Sequence, residues 1–373
     1  MKENWEVKKL GEVCEVIAGQ SPEGKYYNNT GEGLPFYQGK KEFTDKYIGK
    51  PTTWTTSITK EAQENDILMS VRAPVGPVNF STEKICIGRG LAAIRPSKFI
   101  DKEYLFNFLL KHENEIVGNA GAVFNSINKT QIQNISIPLP SLPEQQRIVS
   151  ILDETFAAID KAKENVEKNL QNAREIFESY LQSVFTNPRD EWDKKTLNEI
   201  SENLDNKRVP ITKNKRKSGI YPYYGASGIV DYVDEYIFDE ELLLVSEDGA
   251  NLLARSTPIA FSVSGKIWVN NHAHILRFKN IVTQKFVEMF FASIKLDEYI
   301  TGTAQPKLNQ AALNSIIIPY PSLLEQQSIV TKLDVLSSKT KKLEAIYQQK
   351  LAVLDELKKS VLQKAFNGEL TGA

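Results

Sequence analysis

The sequence predicts an α+β chain. Two β-rich α/β domains are joined by two long antiparallel helices, a coiled coil, in a pseudo-twofold internal repeat. Three observations predict it. PSLPEQQRIVSILD (Pro140 to Asp153) returns as PSLLEQQSIVTKLD (Pro321 to Asp334). Each copy opens a run of roughly forty residues with helical periodicity. Each is preceded by a block of short apolar runs between Gly, Asn and Pro, the pattern of strands and turns.

The repeat extends beyond the doubled segment. Trp5, Leu10, Glu12 and Val13 match Trp192, Leu197, Glu199 and Ile200. LPFYQG (Leu34 to Gly39) echoes YPYYGA (Tyr221 to Ala226), and Phe185 in LQSVFTN matches Phe366 in LQKAFNG. A period this long marks a duplicated structural unit. The chain divides into a first block over 1–141, a first long helix over 142–187, a second block over 188–322, and a second long helix with its tail over 323–373. DILMSV (Asp66 to Val71), LLLVS (Leu242 to Ser246), IAFSV (Ile259 to Val263) and HILRF (His274 to Phe278) read as strands. EYLFNFLLKH (Glu103 to His112) and KFVEMFFASI (Lys285 to Ile294) read as the late apolar helix of each block.

The doubled segment is a helix start. Ser141 with Glu144, and Ser322 with Glu325, have the spacing of a capping box, and Pro143 falls in the first turn, where its missing N–H costs little. In the first helix Ile148, Leu152, Phe156, Ile159, Ala162, Val166, Leu170, Ala173, Phe177, Leu181 and Val184 recur every three or four residues. In the second, Leu336, Leu343 and Leu357 keep a seven-residue rhythm, with Leu333, Tyr347, Leu354 and Val361 on a neighbouring seam. Narrow stripes of this kind suit a coiled-coil pair. Phe156, Phe177, Phe185, Leu343, Tyr347, Leu354 and Phe366 are the expected pairing residues. Residues 144–185 carry five basic and eight acidic side chains, and 325–366 carry eight and five. Opposite charge favours pairing of these two helices, although exposed ion pairs are individually weak. Gly368 in AFNGEL is placed to stop the second helix. A helical hairpin acting as a dimerisation arm satisfies the same pattern.

Composition narrows the class. The chain has 373 residues, 41% hydrophobic and 25% charged, with a formal net charge of -1. That length supports two or three cored domains. Cys14 and Cys86 are its two cysteines, too few for a secreted disulfide scaffold. MKENWEVKKL lacks an apolar signal region, and no window approaches eighteen apolar residues. A soluble, cytoplasmic protein is expected.

A variable block closed by an IPxPSLxEQQ-type segment, then a long helix, the whole repeated and ending in AFNGEL, resembles the specificity subunit of Type I restriction–modification systems. The resemblance covers nearly the whole chain, and its specific part is the two linker segments and helices. It implies that the blocks are target-recognition domains, each reading one half of a split DNA sequence. The paired helices would set the gap between halves and dock two adenine methyltransferase subunits, which restriction and translocase subunits then join. The subunit itself would have no catalysis and no cofactor, with S-adenosylmethionine, ATP and Mg on its partners.

The residues fit a reader rather than an enzyme. No (N/D)PP(Y/F)-like motif stands beside a Gly-rich loop, and NPRD (Asn187 to Asp190) reads as a turn. GLPFYQGKK (Gly33 to Lys41) departs from a phosphate loop, with one residue too many between its glycines and Lys41 where a hydroxyl belongs. His272 and His274 would share a face on a strand, but further ligands are missing from the pattern. A polar strand or loop is the simpler reading of VNNHAHILRF, so no metal site is expected.

DNA contact requires local basic residues. Lys207, Arg208, Lys213, Lys215, Arg216 and Lys217 fall within eleven residues without an acid, whereas Asp231 to Asp248 holds eight acids and no base. The segregation predicts two separate surfaces. Tyr223, Tyr224 and the loop Gly225–Ala–Ser227–Gly228 follow the basic run. In the first block Lys40 and Lys41 follow Tyr37–Gln38–Gly39. Arginine reads guanine, and glutamine or asparagine reads adenine, through paired hydrogen bonds. Gln20, Gln38, Arg72 and Arg89 are therefore base-contact candidates, and the lysines phosphate candidates. Arg95 and Arg277 align between blocks in AIRP and ILRF and are expected to be structural. The two blocks differ at nearly every candidate, which predicts an asymmetric target. Two alternatives stay open: a specificity subunit of another restriction architecture with a fused methyltransferase–nuclease partner, and a coiled-coil interaction scaffold without nucleic acid.

Overall fold

The second strand of each domain is the seed of its architecture. In the computed structural model, which describes residues 5–118, 126–302 and 305–370, Cys14–Ala18 pairs with Leu91–Pro96, then Ile67–Ser70, then Val78–Phe80 in a four-stranded antiparallel sheet. The counterpart runs Ser201–Asn203, Ala273–Phe278, Leu242–Ser246, Ala260–Val263 in the same order. A second sheet in each domain contains a parallel pair. Leu34–Tyr37 lies beside Ile85–Ile87, and Ser218–Gly225 beside Lys266–Val269. The duplicated sequence therefore folds as duplicated topology.

The chain forms two compact units, 1–166 with 349–373 and 167–348. Both long helices are continuous, Leu142–Thr186 and Leu323–Asn367, so each unit contains one half of each helix.

The doubled segment closes each domain before it launches the helix. Ser136–Leu139 pairs antiparallel with Glu6–Lys9, and Ile317–Tyr320 with Asp193–Thr196. The second helix then starts with the predicted box. The Glu325 amide donates to Ser322 Oγ (3.4 Å), and the Ser322 amide donates to Glu325 Oε2 (3.3 Å). At its other end Gly368 is left-handed, at φ +78, a conformation that costs glycine little.

The first glutamine of each EQQ is fully buried. Gln145 donates to the Pro140 (2.9 Å) and Phe99 (3.2 Å) carbonyls and accepts from the Asp101 amide (2.7 Å). Gln326 donates to the Pro321 carbonyl (2.9 Å) and accepts from Thr283 Oγ1 (2.8 Å). Each side chain ties a long-helix start to the strand before it and to the entry of the domain's own helix.

Inside each unit the helix halves run antiparallel. Lys163 pairs with Asp355, and Lys358 with Asp160 (3.5 Å), in the first unit; Arg174 pairs with Glu344 (3.1 Å) in the second. The predicted stripe of the first helix faces inward: Ile148, Leu152, Ile159, Ala173 and Leu181 are buried. The second helix requires a correction. Its buried or half-buried line passes through Val330, Leu333, Thr340, Glu344, Tyr347, Leu351, Leu354, Lys358 and Leu362. Leu343 and Leu357 stand outside it, 41% and 45% exposed. Leu343 is therefore not a pairing residue. Thr340 and Glu344 occupy the inward positions that a search for leucines passes over. Tyr347 and Leu354 do lie on the line.

The helix ends finish in the domain cores. Phe366 packs on Tyr104 and Phe108, and Phe185 on Phe286 and Phe290, with ring centroids 5.1–5.5 Å apart. Burying each Phe contributes about 1.5–3 kcal/mol, and favourable ring pairing adds up to about 1.5 kcal/mol. Phe156 carries the Lys358 ammonium over its face at 4.9 Å, and Phe177 is half-buried against the second core.

Candidate nucleic-acid interface

Each four-stranded sheet has two distinguishable ends. At one end Arg95 is held by Asp66 (2.8 Å) and Glu15 (3.0 Å), and Arg277 by Glu240 (2.5 Å) and Glu202 (3.0 Å). Past this end the chain enters the helix tied to Gln145 or Gln326. The other end is made of turns free of the long-helix starts.

In the first domain that free end gathers the predicted residues. The turn Gly88–Arg89–Gly90 joins Ile85–Ile87 to Leu91–Pro96. The Gly88 amide donates to the Tyr37 carbonyl (2.8 Å), and the Gln20 amide to the Ile87 carbonyl (2.9 Å). The Val71 amide donates to the Gly90 carbonyl (3.0 Å), and the Arg89 amide to Ser21 Oγ (3.2 Å). Three loops therefore lock around one turn. A Cβ on Gly90 would lie 2.2 Å from the Gln38 carbonyl oxygen, so only glycine allows this approach. Gln20, Gln38, Arg72 and Arg89, with the neighbouring Lys40 and Lys41, are all exposed there. Their side chains make no hydrogen bond or ion pair with the described residues. Tyr37 beneath them is buried and its hydroxyl donates to the Gly49 carbonyl (2.9 Å). Burial, then Glu83 and Glu42, push that hydroxyl's pKa up to about 12.

The second domain departs from the predicted separation of charge. Its basic run folds against the acidic segment. Arg208 binds Glu247 (2.5 Å), Asp205 (3.5 Å) and the Ala273 carbonyl (2.9 Å). Arg216 binds Asp231 (3.1 Å) and lies 4.4 Å over the Tyr223 ring, and Lys217 approaches Asp234 at 3.9 Å. Tyr223 is buried and its hydroxyl accepts from the Ile211 amide (3.0 Å). Arg208, Arg216 and Tyr223 are thus framework residues, because their donors and faces are already occupied. Lys207, Lys213 and Lys215 stay exposed with no ion pair among the described residues. Ser227 is exposed at the tip of the hairpin closed by Gly225 and Gly228, and Tyr224 is half-buried beside Phe261.

Asp205, Glu247 and His274 converge closely enough to suggest a metal site, but the donor set does not fit one. His274 Nδ1 faces Asp205 (2.5 Å) and its Nε2 faces the Leu308 carbonyl (2.7 Å), so neither ring nitrogen is open to an ion. Arg208 and Lys307 already neutralise the carboxylates. Burial alone would raise the Glu247 carboxyl, but Arg208, His274 and Lys307 outweigh it and hold it below its ordinary value. Asp205 is lowered against the same opposing burial, chiefly by His274. His272, two residues earlier, lies in the exposed turn rather than on the strand, with Nδ1 on Asp248 (2.9 Å).

The two repeated domains share one sheet topology and present different polar residues at its free end. A family model described as the Type I restriction modification DNA specificity domain matches residues 2–169 and 189–352, and the chain belongs to that family. The putative type I restriction enzyme MjaX specificity subunit of Methanocaldococcus jannaschii is 44% identical over 174 residues, 44% of this chain and 40% of that protein. The chain thus spans about two fifths of that relative. The MjaIX specificity subunit of the same organism is 23% identical over 418 residues, covering 98% of this chain and 94% of that one. A chain from a solved type I R-M system shares the fold, with a TM-score of 0.79 at 17% identity and 99% coverage of both chains.

Proposed function

We propose that this chain is the DNA sequence-specificity subunit of a Type I restriction–modification complex. It binds a bipartite, asymmetric double-stranded DNA target and positions two adenine methyltransferase subunits, with restriction and translocase subunits completing the assembly. The observation that carries the reading is the free sheet end of the first domain. Exposed amide and guanidinium groups there stand on a rigid turn and the loops locked around it, with no side-chain partner among the described residues. Such groups match the base edges of the major groove. The chain supplies recognition; S-adenosylmethionine, ATP and Mg belong to the partners, and so does extrusion of the target adenine, which needs an enclosed base pocket. It works in the cytoplasm and has no membrane role, and among the described residues no helix is long and apolar enough to cross a membrane.

The test is to co-express the chain with its methyltransferase partner and map methylated adenines by single-molecule sequencing. A split motif with a fixed gap, methylated on both strands and lost without this chain, is expected. An assembled complex that adds no motif refutes the reading. ATP-dependent cleavage separates it from the architecture with a fused methyltransferase–nuclease partner.

A further inference from the structure

Three backbone hydrogen bonds and one bridge at the free sheet ends correspond between the two domains. The Asn270 amide donates to the Tyr224 carbonyl (3.0 Å), as Gly88 does to Tyr37 (2.8 Å). The Glu247 amide donates to the His272 carbonyl (2.9 Å), as Val71 does to Gly90 (3.0 Å). The Leu308 amide donates to the Glu247 carbonyl (2.8 Å), as Ile127 does to Val71 (3.0 Å). Asp248 bridges to Lys307 where Arg72 bridges to Ser126. Asn271 therefore occupies the place of Arg89, and Asp248 the place of Arg72.

We propose that Asn271, beside His272 oriented by Asp248, is the base-contacting turn of the second domain, and that its amide reads an adenine. This rests on the DNA-reading function proposed above and assigns the chemistry of the second half-site. Asn271 is exposed, and its side chain has no hydrogen bond among the described residues. Its backbone is held from several sides. Arg208 Nη1 donates to the Asn271 (3.4 Å) and Ala273 (2.9 Å) carbonyls, and Asn270 Oδ1 accepts from the His272 amide (2.8 Å). The hairpin carrying Ser227 is tied to the same end, where Ser246 Oγ donates to the Ala226 carbonyl (2.5 Å). A free amide on an over-determined turn is a preorganised reader. The local charge selects the base. With Asp248 in place of an arginine and Arg208 already occupied, this edge has no free guanidinium for guanine among the described residues. An asparagine amide pairs with adenine N6 and N7.

The experiment maps adenine methylation by the full chain assembled with its methyltransferase partner, comparing wild type, Asn271→Ala and Arg89→Ala. Loss of one bidentate contact lowers base discrimination roughly 5- to 150-fold. Asn271→Ala is expected to relax one adenine in one half-site, with the other half and the gap unchanged. Arg89→Ala is expected to relax a position in the opposite half. An unchanged motif with Asn271→Ala overturns the proposal, and so does relaxation at a base other than adenine. If the Asn271→Ala complex fails to assemble, Asn271→Asp keeps the shape and removes the amide donors, and an unchanged motif there is equally fatal. Absence of any split motif with the wild-type chain is the separate signature of failure of the underlying function.

Discussion

Two neighbouring positions show how the two domains diverged beneath a common backbone. Where the first domain has Val71 and Ala92, both buried, the second has Glu247 and His274. An apolar contact has been replaced by a charged network with Arg208, Asp205 and Lys307. Removing one member of such a network strands a buried charge. Arg208→Met should cost about 3 kcal/mol of second-unit stability in urea unfolding, with the first unit unaffected. Asp205 and Glu247 are both held below their ordinary values of 3.8 and 4.5. Carboxyls depressed by folding add stability above the unfolded value, and it is lost as pH falls through the folded one. The second unit should therefore weaken progressively from about pH 4.5 downward. Asp205→Asn should flatten that acid limb; a variant whose acid limb matches wild type would show that the network is not the cause.

At the scale of the element, the doubled EQQ is explained by its first glutamine. Gln145 satisfies two carbonyls and one amide in a dry site. Gln145→Leu leaves those groups unpaired, at about 2–3 kcal/mol in total, or roughly 5–10 °C in the melting temperature of a domain this size. Gln326→Leu should do the same to the second unit, while Gln146→Leu, at an exposed position, should be nearly neutral by differential scanning calorimetry. The repetition of these glutamines is plain in the sequence, but their burial is not, because glutamine is ordinarily a surface residue. The same limit explains the second helix. The first helix was legible because Ile148, Leu152 and Ile159 place apolar mass on the seam. The second differs from its leucine pattern because Thr340 and Glu344 face inward while Leu343 faces out. The charge pattern of the second domain differs from its fold for a related reason. A basic run and an acidic run distant in sequence look like two surfaces until the fold sets Arg208 on Glu247 and Arg216 on Asp231. The alignment of Arg95 with Arg277, carried six residues upstream, places Asn271 opposite Arg89. An asparagine there carries no charge, so a pattern of lysines and arginines does not mark it.

For the whole molecule, the proposed reading makes the distance along DNA between the two half-sites the functional quantity, and it assigns that distance to the two continuous helices. A helix of this length is on the order of 60 Å at ~1.5 Å per residue, against ~34–36 Å for one turn of DNA. The seven-residue character of the inward line dictates how that length can be altered. Four inserted residues would act as a stutter and unwind the seam locally, whereas seven preserve its register. Seven residues inserted after Glu167 and seven after Gln348 add roughly 10 Å to each helix. That is about three base pairs at ~3.4 Å each. The methylation map of this variant should show both half-sites intact and the gap lengthened by about three base pairs. Extending one helix alone should instead mismatch the seam and abolish methylation. A doubly extended chain that assembles and methylates with the original gap would mean that the helices hold the domains but do not measure the target.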